Sequence, residues 1–136
     1  MIIVDLFAGA GGWDVALRNL GVPSNEIRGF EMWDRANATA EAAGFGPRYQ
    51  VDISRVPVTP CDLLVASPPC QSFSNAGRRK GTSDTPAILS VVEGATGDNI
   101  DDRLDGLRRV VADPRSALVL EPLRWVLVAQ PTFVAW

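Results

Sequence analysis

Cys70 is the residue of this chain best placed to act as a nucleophile. It stands in Ser67-Pro68-Pro69-Cys70-Gln71, directly after the aliphatic run Leu63-Leu64-Val65-Ala66. A short apolar run bounded by prolines reads as a buried strand ending in a stiff turn. Two consecutive prolines fix φ and bias the residue before them to extended geometry. The thiol then sits at the carboxyl end of a strand, where open α/β sheets hold their ligands, on the rigid support that covalent catalysis requires. On this segment alone the commoner alternative, a buried packing cysteine, stays open.

Three further features point to a second chemistry, recognition of a nucleotide-like ligand. Ala8-Gly9-Ala10-Gly11-Gly12 is a small-residue turn after the apolar run that opens the chain; such a turn lets a ligand approach the N-terminus of the next helix. Glu31 follows about 20 residues later, the distance at which folds of this kind place the acid that binds ribose hydroxyls. Asp52 ends a third strand, with Ile53 beside it. Each acid alone could be a solvated surface residue. Together they describe an adenosine pocket: Glu31 for the ribose, Asp52 for the adenine amino group, Met32 and Ile53 as apolar walls. The turn lacks the Gly-Lys-Ser/Thr of a P-loop.

The elements that would carry these residues alternate. Strands are predicted at Met1 to Phe7, Ile27 to Met32, Tyr49 to Ile53 and Cys61 to Ala66, with a fifth opening at Thr132. Helical spacing runs from Trp13 to Leu20, closed by Gly21, and from Arg35 to Ala43, capped by Asp34 and closed by Gly44. Ser72 to Thr85 reads as a long mobile loop. Short helices are predicted at Ala87 to Glu93 and Asp102 to Val111. One helix, capped by Asp113 with Pro114 in its first turn, is predicted to continue to about Ala129. Strands alternating with helices imply an α/β protein, a Rossmann-like open and mostly parallel sheet. Phe133-Val134-Ala135-Trp136 would leave an apolar sheet edge that calls for a continuation or a docked partner.

Composition narrows the function classes. The chain has 136 residues, 46% of them hydrophobic and 21% charged, which describes one ordinary globular domain. It contains no histidine, which removes histidine-based triads and most zinc chemistry; no metal is expected. The net charge is −3, with basic residues clustered only at Arg78-Arg79-Lys80, so no global basic face offers itself to a polyanion. Two cysteines, Cys61 and Cys70, make no disulfide framework and suit a reducing compartment. The first strand has no signal peptide before it, and no apolar run is long enough for a bilayer. A cytoplasmic protein is expected.

Taken together, Asp5-Leu6-Phe7-Ala8-Gly9-Ala10-Gly11-Gly12 and Ser67-Pro68-Pro69-Cys70-Gln71-Ser72-Phe73-Ser74 strongly resemble the DNA (cytosine-5) methyltransferase family. Glu31-Met32-Trp33-Asp34, Asp52-Ile53, Asn75-Ala76-Gly77-Arg78-Arg79-Lys80-Gly81 and Asp113-Pro114-Arg115-Ser116-Ala117-Leu118 are similar to further blocks of that family. The resemblance implies the S-adenosylmethionine-dependent methyltransferase fold, and transfer of a methyl group from S-adenosylmethionine to C5 of cytosine in DNA. It implies Cys70 as the nucleophile that adds to C6 of a base flipped out of the duplex. The thiolate is the reactive form, which basic neighbours such as Arg78, Arg79 and Arg115 would favour.

By the same resemblance Phe7, Gly9, Gly11, Gly12, Glu31, Met32, Asp52, Ile53, Pro69 and Leu118 are expected at the cofactor. Gln71, Ser72, Arg78, Arg79 and Lys80 are expected on a loop against double-stranded DNA. Cys61 matches no catalytic position and reads as a packing residue. Residues 1–136 then correspond to the amino-terminal part of a catalytic domain, truncated after the fifth strand and without a target recognition domain. A second polypeptide could complete it. The alternative is a degenerate remnant or interaction module that binds S-adenosylmethionine without turnover.

Overall fold

The computed structural model describes residues 1–73 and 80–136. They form two compact units, Met1–Ser67 with Ala129–Trp136, and Pro68–Val128.

The first unit is built on five parallel strands, β1 (Ile3–Leu6), β2 (Ile27–Glu31), β3 (Arg48–Gln50), β4 (Leu63–Ala66) and β5 (Phe133–Ala135), in the order β3-β2-β1-β4-β5. This is the doubly wound order in which ligands lie outside the carboxyl ends of the strands. Helices α1 (Gly12–Asn19) and α2 (Asp34–Ala42) follow β1 and β2. Side chains alternate along a strand, so the register fixes what faces α1. Ile3, Ile27 and Leu63 stand side by side on the three central strands, and Leu17 of α1 covers them together with Trp13 and Val22. The next row on the same face is different in kind. Asp5 pairs with Gly29, and Gly29 with Arg48. Charged groups thus occupy the sheet directly under the turn that follows β1.

Local chemistry explains the element ends. Gly21 and Gly44 adopt φ of +87° and +68° and return their N–H groups to Arg18 and Glu41 carbonyls, closing α1 and α2. β3 is shorter than the predicted strand and begins one residue earlier. Asp52 accepts from the Ser54 N–H at 3.0 Å and the Ser54 hydroxyl at 2.8 Å, which turns the chain into a 3-10 helix at Ile53–Arg55. Asp34 is the first residue of α2 rather than its cap.

The second unit contains α3 (Lys80–Val92), α4 (Ile100–Val110), a 3-10 helix at Pro114–Leu120 and most of α5 (Glu121–Ala129). Its core is Ile88 and Val91 of α3, Ile100, Leu104 and Leu107 of α4, and Ala117 and Leu120. Helix α3 begins inside the segment predicted as loop. Gly81, Thr82 and Ser83 are weak helix formers, but tertiary anchors outweigh that preference. Asp84 accepts from the N–H groups of Ala112 (2.8 Å) and Asp113 (3.2 Å), and Ile88 and Val91 are buried one and two turns on. Arg103 of α4 donates to the Ser90 and Glu93 carbonyls at 3.1 and 3.3 Å and so closes the end of α3. The predicted continuous helix from Pro114 is split at Glu121 because Pro122 has no N–H and cannot follow an α-helical turn; a new helix starts with proline in its first turn instead.

Asp84 gives a direct test of this packing. Burial pushes its carboxyl up, but the Ala112 and Asp113 amides and the Ser116 hydroxyl outweigh that and hold it below the usual range. Its contribution is present above the ordinary carboxylate range and lost as pH falls through the folded-state value. Asp84→Ala leaves two amides without their acceptor, and is expected to cost about 1–3 kcal/mol at pH 7. Thermal melts should show the wild-type advantage shrinking at strongly acid pH.

Candidate functional site

The turn after β1 is strained and closed by hydrogen bonds. Phe7 has φ of +59°, a left-handed conformation unusual for a bulky side chain, and Gly9 and Gly11 follow at +55° and +103°. The Ala8 N–H donates to the Phe30 carbonyl and the Gly11 N–H to the Ala8 carbonyl, each at 3.1 Å. Glu31, at the end of β2, reaches across and accepts from the Gly9 N–H at 3.0 Å through Oε2. Its other oxygen accepts from the Trp33 N–H at 2.8 Å. The acid predicted for ribose recognition is therefore joined to the glycine turn. Each carboxylate oxygen keeps a second lone pair, so a hydroxyl pair can still be taken.

The front of the turn is open. A Cβ added at Gly9 or Gly12 would meet nothing within 4 Å. Gly11 caps α1 without a side-chain hydrogen bond to its first amides, which leaves the helix N-terminus to an anionic or polar ligand group. Met32 and Trp33 are 67% and 66% exposed, an unusual state for two large apolar side chains beside a buried strand. Ile53 is buried at 3% exposure and Asp52 is half-buried. Phe30 and Tyr49 stack at 5.0 Å, and with Val51, Asp52, Val56 and Pro57 they line a hollow of about 410 Å³. Open glycines, a committed acid and exposed apolar flanks fit a nucleoside cofactor. The Trp13 indole N–H donates to Ser67 Oγ at 3.1 Å and ties the start of α1 to the end of β4.

The second unit carries the thiol. Cys70 is exposed, and its carbonyl accepts from the Phe73 N–H at 3.0 Å, forming a turn over residues 70–73. Pro69 is half-buried before it and Ser72 is buried at 1% exposure within it, while Gln71 is exposed. Cys61 is buried, and burial, aided by the Asp62 charge, pushes its thiol up. Of the two thiols, Cys70 alone is accessible. Leu118 is half-buried in the 3-10 helix.

Arg115, expected to favour a thiolate, is held by Asp113, with Nε on Oδ1 at 3.0 Å and Nη2 on Oδ2 at 2.7 Å. Its charge is matched locally. Arg78 and Arg79 lie outside the described residues, as does the side chain of Lys80. Among the described residues no group of three or more acidic or cysteine side chains could hold a metal ion, and no helix is long and apolar enough to cross a membrane.

Sequence reasoning missed the charged row behind the turn. Arg48 of β3 meets Asp14 of α1 at 2.5 Å, and both side chains are 1% exposed. Asp5 is fully buried between them and Glu31. The signal was present in the sequence: an acid in the middle of an apolar first strand has to be accounted for by something.

A parallel sheet in this order, with a glycine turn closed onto an acid at the end of β2, is a Rossmann-like nucleotide-binding fold. The chain belongs to the C-5 cytosine-specific DNA methylase family, whose model matches residues 1–92. It is 39% identical over 95 residues to the orphan methyltransferase M.SPRI of Bacillus phage SPR, covering 64% of this chain and 21% of that one. It is 37% identical over 92 residues to the type II methyltransferase M.HhaI of Haemophilus parahaemolyticus, covering 63% and 26%. The type II methyltransferase M.AquIA of a Picosynechococcus strain is 31% identical over 98 residues, covering 64% and 39%. The chain thus spans well under half the length of these relatives. An S-adenosylmethionine dependent methyltransferase of known structure from Mesorhizobium loti superposes with a TM-score of 0.41, at 24% identity over 60% of this chain and 39% of that one.

Proposed function

We propose that this chain supplies the cofactor-binding and nucleophile-bearing part of a DNA (cytosine-5) methyltransferase working in the cytoplasm. The observation that carries the reading is the Gly9–Glu31 hydrogen bond within a family match that also spans the Cys70 turn. Glu31 takes the ribose hydroxyls of S-adenosylmethionine, Asp52 the adenine amino group, and Met32 and Ile53 bound the ring. Phe7, Gly9, Gly11 and Gly12 line the rest, and the family resemblance adds Pro69 and Leu118 to the cofactor residues. The cofactor supplies an electrophilic methyl group.

The chemistry asked of the chain begins at Cys70. Its Sγ adds to C6 of a flipped cytosine, which makes C5 electron-rich enough to take the methyl group. Loss of the C5 proton then breaks the Sγ–C6 bond and returns the thiolate. Gln71, Arg78, Arg79 and Lys80 are assigned to contact with the duplex, and buried Ser72 to support of the turn that carries Gln71.

The test is transfer of labelled methyl groups from S-adenosylmethionine to unmethylated DNA, followed by digestion to nucleosides. Label in 5-methylcytosine supports the reading, whereas label in an N-methylated base contradicts it. Cofactor binding with no transfer under any DNA sequence would favour the second reading, a cofactor-binding module without turnover.

A further inference from the structure

We propose that Arg48 and Phe45 are positioning residues for the cofactor, holding the glycine turn in shape from behind; the inference rests on the cofactor reading of that turn.

The segment between α2 and β3 is anchored at both ends. Its Phe45 N–H donates to the Ala40 carbonyl at 3.1 Å, and its Pro47 carbonyl accepts from the Gly29 N–H at 3.0 Å. Between them Gly46 lies so close to the chain that a Cβ there would overlap the Ser24 and Ile27 carbonyl oxygens. From this fixed segment two side chains reach the back of the turn. The Phe45 ring occupies the place where a Gly11 side chain would begin, and it carries the Arg18 guanidinium 5.2 Å from its centroid. Arg48 crosses the face of β2 at Gly29, where a Cβ would overlap its guanidinium, and grips Asp14 in the first turn of α1. Its Nη2 ends 3.2 Å from the Cβ position of Gly11. Gly11 and Gly29 are glycines because these two side chains need the room.

The back of the turn is therefore filled while Gly9 and Gly12 are open in front. The Arg48–Asp14 pair is an expensive way to fill that space. Buried ion pairs add little net stability over apolar side chains of the same volume, but they fix direction. Here the direction fixed is that of α1's first turn relative to β2 and β3, which is the relation between the turn's amides and Glu31. A guanidinium can bridge strand and helix in a set geometry that an ammonium or a thioether cannot reproduce.

The experiment is titration of the whole chain with S-adenosylhomocysteine by calorimetry, with thermal melts run in parallel. Arg48→Met combined with Asp14→Asn removes both charges, so no lone buried charge is left to unfold the chain. This double variant is expected to fold and to bind about tenfold or more weakly. Phe45→Leu trims the ring behind Gly11, leaves the ion pair whole, and is expected to bind about threefold more weakly. Arg48→Lys, which retains a charge opposite Asp14 but lacks the guanidinium's planar fork, should leave most of the affinity loss in place. Wild-type affinity in both the folded double variant and Phe45→Leu would overturn the proposal. A folded wild-type chain that does not bind at all would overturn the cofactor reading itself, and this proposal with it.

Discussion

Asp5→Asn is expected to raise the stability of the chain at pH 8 and to flatten its fall between mildly acid and mildly alkaline pH. Asp5 is fully buried in β1, and among the described residues neither of its oxygens has a hydrogen-bond partner. Burial, reinforced by the Asp14 charge, relieved in part by Arg48 and reinforced again by the Glu31 charge, pushes its carboxyl up from 3.8 to about 8. Over that interval the folded chain holds a proton that the unfolded chain has released. The stability tied to Asp5 is thus fully present below the unfolded value, declines as pH rises, and is gone above the folded one.

At about 1.4 kcal/mol per pH unit, the interval corresponds to on the order of 5 kcal/mol. An amide of the same shape has no proton to lose. Denaturant titrations of wild type and Asp5→Asn at a series of pH values should give curves that converge near pH 4 and separate towards pH 8. Parallel curves would show that Asp5 ionises in the folded chain as it does in water.

Glu121→Gln is expected to destabilise the chain by about 3–5 kcal/mol, the usual consequence of removing one partner from a buried ion pair. Glu121 is fully buried and bridges two arginines. Its Oε2 accepts from Arg124 Nε at 2.8 Å and its Oε1 meets Arg108 Nη2. Asp105, 2.6 Å from Arg108, and Asp101, 3.7 Å from Arg124, both on α4, also stand beside the two arginines. The network ties α4 to the start of α5 at the point where Pro122 breaks the helix. Removing Glu121 leaves Arg124, only 5% exposed, without its main counter-charge. Because the pair is buried, the loss should persist at high salt, unlike that of a surface pair. A triple replacement with Leu at 121 and Met at 108 and 124 should lose less than Glu121→Gln alone, which denaturant midpoints would show.

The parts of this protein that were legible in its sequence share a physical feature: each is a local signal. Aliphatic runs gave the strands, glycines at helix ends gave the stops at Gly21 and Gly44, and Asp113 before Pro114 gave the start of a 3-10 helix. Glu31 was legible because its distance from the glycine turn is set by the length of one strand–helix–strand unit. What could not be read depends on contacts remote in sequence. Helix α3 starts at Lys80 because Asp84 finds amides 28 and 29 residues away. Arg48, one residue outside the predicted third strand, has no local signal for its partners: only the register places it beside Gly29, with Asp14 beyond. The φ of Phe7 is likewise a consequence of closing the turn onto β2, and no rule of local propensity would put a phenylalanine there.

The measurement that tests the central claim most directly is trapping on DNA containing 5-fluorocytosine, where fluorine at C5 blocks the elimination that would release Cys70. The folded chain would be incubated with such DNA and S-adenosylmethionine. Wild type, Cys70→Ser and Cys61→Ser would then be run on a denaturing gel. The expected result is a denaturant-stable protein–DNA adduct with wild type and Cys61→Ser that disappears with Cys70→Ser. An adduct that survives Cys70→Ser, or no adduct from a folded, cofactor-bound chain, would contradict the assignment of Cys70 as the nucleophile of a cytosine-5 methyltransferase.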